Sequence, residues 1–132
     1  MHDSNGWTPL HHACETGDKN IVKILLENQA DLFKFSNKGY YPIHIAALNN
    51  NYEIIQILLS HANENQLPSI LELKNNEKAS AILLAAKKGH IETVQTLLNH
   101  GADIYAVDDL KWTALHHATF NCLFFIYILL LF

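Results

Sequence analysis

The chain has 132 residues, 49% hydrophobic and 17% charged, which fits one globular unit rather than a disordered tail or a multidomain protein. Its net charge of -4, with nine Lys and Arg spread along the length, excludes a general nucleic-acid binder, because phosphate recognition draws on clustered cations. No charged segment followed by an apolar stretch and a cleavage site opens the chain, so the expected compartment is the cytoplasm, with the nucleus left open.

The first stretch, GWTPLHHACETGDKNIVKILLENQAD from Gly6, predicts two short helices. Leu10, Ala13 and Cys14 make an apolar edge, Gly17 breaks the helix, and Ile21, Val22, Leu25 and Leu26 return at helical spacing. Thr8 supplies a hydroxyl for an orphan backbone N–H at the helix start, and Pro9 suits the first turn, where its missing donor has no partner anyway. The pattern recurs as GYYPIHIAALNNNYEIIQILLSHANE from Gly39, KASAILLAAKKGHIETVQTLLNHGAD from Lys78 and KWTALHHATFNCLFFIYILLL from Lys111, at shifts of 33, 39 and 33 residues. The repeats are expected at about 3–35, 36–74, 75–107 and 108–132.

Copy two has Tyr41 in place of the threonine. Copy three loses the proline and histidine and keeps a hydroxyl at Ser80, so it is expected to open more readily than copy one. Lys78 and Lys111 stand where copies one and two have glycine; a positive φ there costs a residue with a Cβ roughly 1 kcal/mol. Ahead of copy three, SHANENQLPSILEL carries six extra residues within about 60–74, predicting a longer outer loop or an extra turn interrupted at Pro68. The small residues Ala13, Ala46, Ala47, Ala85, Ala86 and Ala118 let neighbouring helices approach closely. Because one helix pair cannot bury both its faces, the copies are expected to stack in a row with a continuous core.

The last segment, LFFIYILLLF from Leu123, breaks the pattern. Tyr127, Leu130 and Leu131 fall at apolar second-helix positions, but Leu123, Phe124, Phe125, Ile126, Ile128, Leu129 and Phe132 are apolar where an outer face is usually mixed. Ten residues make only ~15 Å of helix, about half of a bilayer core, so the segment does not span a membrane alone. Truncation of a longer array, or translation of non-coding sequence in an AT-rich source, is favoured over a designed anchor.

Nine histidines raise the question of a metal. Equivalent histidines in stacked copies lie ~8–10 Å apart, too far to share an ion that needs ligands at ~2.1 Å, so no metal is expected. Cys14 and Cys122 belong to distant copies and read as unpaired thiols in a reducing compartment, Cys14 buried and inert. No phosphate loop or nucleophile motif appears, and neither catalysis nor a cofactor is expected.

The period of 33, TPLH followed by alanine, and GHIETVQTLLNHGAD together resemble ankyrin repeats over roughly Met1 to Phe132. The resemblance implies an all-α repeat solenoid of stacked helix-turn-helix units with β-hairpin loops, or fingers, and a concave surface that binds other proteins. It gives Thr8, His11, His44, Thr113 and His116 structural roles, the histidine tethering neighbouring backbone. Carried over position by position, it assigns partner contact to Ser4, Asn5, Trp7, Glu15 and Thr16 in copy one and to Asn37, Lys38, Tyr40, Leu48 and Asn49 in copy two. In copy three it assigns Asn76, Glu77, Lys87 and Lys88, and in copy four Asp109, Leu110, Trp112, Phe120 and Asn121.

Trp7, Tyr40 and Trp112 form an aromatic row interrupted at Ala79, read either as binding anchors or as rings that pack against the next finger. Lys87 and Lys88 read as solvated surface rather than an anion site. The expected function is a non-catalytic scaffold for another protein, without nucleic acid or a specific small molecule; membrane contact through residues 123–132 is a lesser expectation. The alternative is the cytosolic repeat region of a larger membrane protein like the transient receptor potential channels.

Overall fold

The computed structural model describes residues 2–121 and 123–131. Among them are nine helices: α1 (Pro9–Thr16), α2 (Lys19–Glu27), α3 (Pro42–Leu48), α4 (Tyr52–His61), α5 (Leu67–Leu71), α6 (Ala81–Lys88), α7 (Ile91–Asn99), α8 (Ala114–Phe120) and α9 (Phe124–Leu131). The inner helices α1, α3, α6 and α8 pack one on the next, and the outer helices α2, α4, α7 and α9 form a second row behind them. The chain is therefore a helical repeat solenoid.

Small side chains set the inner row's spacing. Ala13, Ala46, Ala47, Ala85, Ala86 and Ala118 are buried, with Cys14 buried at an alanine position. Ile54, Ile55, Leu58, Val94 and Leu97 fill the space between the two rows. A larger side chain in the alanine line overpacks a contact that has no void to receive it, typically costing about 1–3 kcal/mol.

Each inner helix begins where the sequence predicts, and the histidines explain how the copies are joined. The Thr8 N–H donates to His11 Nδ1 at 3.0 Å, which leaves the ring proton on Nε2; that nitrogen donates to the Tyr40 carbonyl of the next copy at 2.8 Å. His44 repeats the arrangement, accepting from the Tyr41 N–H at 3.1 Å and donating to the Leu73 carbonyl at 2.8 Å. His116 accepts from the Thr113 N–H at 3.0 Å, but it is exposed and tethers no following copy among the described residues. In copy three Leu83 replaces the histidine, and the Ser80 hydroxyl is buried without a hydrogen-bond partner, so it does not cap α6.

The fingers are tight turns, and no strand occurs among the described residues. A side chain at each finger root takes the N–H that a hairpin ladder would use. Asp3 N–H donates to the Trp7 carbonyl, while the Trp7 N–H turns to Asp3 Oδ1. Ser36 with Tyr40, Asn75 with Ala79, and Asp108 with Trp112 repeat this exchange. Positive φ falls at Gly6 and Gly39, and also at Lys78 (61°) and Lys111 (65°), as their positions in the repeat predict. A Cβ on Gly39 would lie 2.9 Å from the Asn76 backbone nitrogen of the next finger, so that glycine serves close approach as well as φ.

The six extra residues build α5. Pro68 sits in its first turn rather than interrupting it, and buried Ile70 and Leu71 anchor the excursion to the core. In α9 the buried residues are Ile126 and Leu130; Tyr127 is half-buried and Leu131 exposed. Of the three positions expected to be the apolar ones of a second helix, Leu130 is buried and Tyr127 packs half-buried against the core, whereas Leu131 is exposed. Expectations for Cys122 and Phe132, and for the side chains of Phe124, Phe125 and Ile128, lie outside the described residues.

Candidate functional site

A hollow on the finger side encloses about 430 Å³ between copies one and two. Trp7 and Tyr40 at the finger bases, with Ile45 and Leu48 on α3, give it an apolar lining; Asn5, Asn37, Lys38, Glu15 and Asn49 rim it with polar groups. Ser36 completes the wall. A concave apolar surface with a few convergent polar groups is the general form of a binding site.

Repeat geometry explains why residues so far apart in sequence converge. The fingers are bonded tip to tip: the Asn37 N–H donates to the Asn5 carbonyl at 2.9 Å, and Asn37 Nδ2 to the Ser4 carbonyl at 3.0 Å. The Asn76 N–H then donates to Lys38 O at 3.3 Å and the Asp109 N–H to Glu77 O at 3.0 Å. On the opposite wall the inner helices are bonded through their C-termini, where Asn51 Nδ2 donates to Cys14 O at 2.7 Å and His90 Nε2 to Leu48 O at 3.0 Å. Finger row and helix row are thereby held at one pitch.

Of the residues expected to meet a partner, Asn5, Trp7, Glu15, Asn37, Lys38, Tyr40, Leu48 and Asn49 surround this hollow. Ser4 supplies a tip carbonyl, and Thr16 returns its hydroxyl to Ala13 O at 3.2 Å. In copy three Asn76, Glu77, Lys87 and Lys88 are exposed outside the hollow, the two lysines in the last turn of α6 where the helix dipole favours cations. In copy four Asp109, Leu110, Phe120 and Asn121 are also exposed, and Phe120 meets Trp112 edge-on at 5.1 Å, a second apolar spot on the face. Ser36 and Ile45 were not anticipated. Position-by-position comparison singles out tips and helix ends, whereas these two sit one turn deeper.

The aromatic rings stack on histidines of their own repeat, whereas the packing alternative expected the next finger. Trp7 lies 5.0 Å from His12 and 5.9 Å from His11; Trp112 lies 5.1 Å from His117. Tyr40 meets His44 at 6.2 Å. Each ring is half-buried, fixed on one side and open on the other.

Titrating groups near the fingers serve structure. Hydrogen bonds from the Trp7 N–H and from His12 hold the exposed Asp3 carboxyl below its usual range. Burial of Asp108 works against its charge, yet His117 Nε2 at 2.6 Å and the Trp112 and Leu110 N–H groups hold that carboxyl low as well. Burial lowers His11, and lowers His44 to about 4. Burial pushes the Cys14 thiol up to about 12, the opposite of what a nucleophile needs. Among the described residues no group of three or more His, Cys, Asp or Glu could hold a metal ion, and no helix is long and apolar enough to cross a membrane.

Two family models match the chain, both described as ankyrin repeats: one over residues 1–68 and one over residues 82–132. The human transient receptor potential cation channel subfamily A member 1 is 32% identical over 110 residues, 82% of this chain and 10% of the channel. The NF-kappa-B inhibitor cactus of Drosophila melanogaster is 33% identical over 123 residues, 92% of this chain and 23% of the inhibitor. The probable 26S proteasome regulatory subunit p28 of Saccharomyces cerevisiae is 29% identical over 119 residues, 88% of this chain and 50% of p28. The chain thus spans half or less of the length of these curated relatives.

Proposed function

Since the chain belongs to the ankyrin-repeat family, whose repeats are protein-interaction modules, we propose that it is a non-catalytic scaffold that binds a partner protein through its concave face. The observation that carries this reading is the hollow between copies one and two, where Trp7, Tyr40 and Leu48 present apolar surface over buried Ile45 inside a polar rim. Large rigid rings gain contact area at small entropic cost, which suits Trp7 and Tyr40 as anchors. A cytoplasmic or nuclear setting is part of the proposal, and an unpaired Cys14 is compatible with it.

A photo-crosslinking residue at Leu48, compared with one at the outward-facing Gln56, tests the face. The expected result is partner adducts from Leu48 alone, lost in a Trp7→Ala, Tyr40→Ala variant that melts like the parent. Adducts from Gln56 instead, or loss only together with a collapsed melting curve, would overturn it.

The second reading, a repeat region within a larger membrane protein, is favoured by the similarity to the human channel. Several apolar spans of about 20 residues encoded beside this segment would establish it.

A further inference from the structure

Charge changes sign along the concave ends of the inner helices. The repeat position just after each buried small pair holds Glu15 in copy one, Leu48 in copy two and Lys87 in copy three, and the next position holds Thr16, Asn49 and Lys88. Negative charge therefore lies at the copy-one edge of the hollow, apolar surface in its middle, and positive charge one copy beyond it. Lys38, at the second finger tip, adds a cation to the rim.

Lys87 and Lys88 are exposed, and neither takes part in an ion pair among the described residues. Against them stand the C-terminus of α6, worth roughly half a negative charge, and Glu77 at the third finger tip, so cation remains in excess. Ala79 takes the place that Trp7, Tyr40 and Trp112 hold in the other fingers, which leaves the finger wall facing α6 without a ring. Copy three is flanked on both sides, with α6 packed between α3 and α8, so this exposure owes nothing to where the chain begins or ends.

We infer that the partner presents an extended segment that sets one large apolar side chain in the hollow and, two to four residues along, places carboxylates over Lys87 and Lys88. This assignment of partner chemistry rests on the concave face proposed above. Adjacent inner helices lie ~8–10 Å apart and an extended chain rises ~3.3 Å per residue, so about three residues carry it from Leu48 to Lys87. Glu15 repels a carboxylate at the other edge, which gives the segment its orientation on the face.

Phage selection of random dodecapeptides on the whole chain, and in parallel on a Lys87→Glu, Lys88→Glu variant, tests this. Both lysines are exposed, so the variant is expected to melt like the parent; if it melts early, Lys87→Gln, Lys88→Gln replaces it. Peptides selected on the parent are expected to share a Trp, Phe or Leu with Asp or Glu two to four positions away, and those selected on the charge-reversed variant to carry Lys or Arg there instead. In fluorescence anisotropy a parent-selected peptide should bind the lysine variant at least ~10-fold more weakly, and should lose affinity for the parent as NaCl rises from about 50 to about 500 mM.

Peptides without acidic enrichment, or binding that changes less than about twofold when the lysines are reversed, overturn the inference. If such peptides still lose affinity for the Trp7→Ala, Tyr40→Ala variant, the partner face stands and only its acidic complement falls; peptides indifferent to both variants overturn the two together. A library that yields no binder, while crosslinks from Leu48 to the natural partner still form, overturns the inference alone.

Discussion

Ser80 is a hydroxyl in the right place with the wrong surroundings. At the equivalent site Thr8 Oγ1 accepts the His11 N–H, whereas Ser80 Oγ is buried and bonded to nothing. A buried unpaired hydroxyl is worth more removed than kept, so Ser80→Ala is expected to stabilise the chain by about 1 kcal/mol in urea unfolding. His44 gives the opposite lesson. Burial lowers it to about 4 from 6.5, so the unfolded chain binds the proton first, and stability is lost as pH falls from about 6.5 to about 4. The loss approaches about 3 kcal/mol and levels off below that window. His44→Gln should therefore be weaker at pH 7 but flatter between pH 4 and 6.5 in the same measurement; equal slopes would remove His44 from the account.

The roles of Thr8 and His11 were legible because the TPLH string fixes their spacing. Those of Asp3, Asn75 and Asp108 were not. A finger-root carboxylate or amide that takes a backbone N–H looks, in a string of letters, like any polar loop residue.

Helix existence and the inner and outer rows followed from hydrophobic periodicity, but coverage of each face did not. The sequence reading expects copy three to open before copy one, since its cap is incomplete. A missing cap costs about 1 kcal/mol, while all six residues Ala81–Ala86 are buried between α3 and α8. We therefore expect amides of α6 to exchange with deuterium more slowly than those of α1, which packs on one inner helix, α3, among the described residues; faster exchange in α6 would show that the cap dominates. In α9 periodicity said less: its residues are apolar all round, so only the repeat register pointed to Tyr127 and Leu130, and burial of Ile126 follows from where α7 and α8 lie.

At the scale of the molecule the row has a single continuous core, and Cys14 reports on it. Its thiol, buried between α1 and α3 and raised to about 12, reacts only when the stack opens. In a Cys122→Ser background, iodoacetamide labelling of Cys14 followed by mass spectrometry should be at least ~10³-fold slower than in urea, following global unfolding. Rates within tenfold of each other would mean that copy one separates independently. The hollow was legible at this scale only in outline: the repeat identified its rim, but its depth at Ser36 and Ile45 arises from how two copies meet.

The tip-to-tip bonds linking Asn5, Asn37, Lys38, Asn76, Glu77 and Asp109 act like the teeth of a zip, each aligned by the one before. One residue added inside a finger would put every later tooth out of step. The chain instead carries its surplus at the back, in α5, where Ile70 and Leu71 are sewn into the core and no such alignment has to be kept.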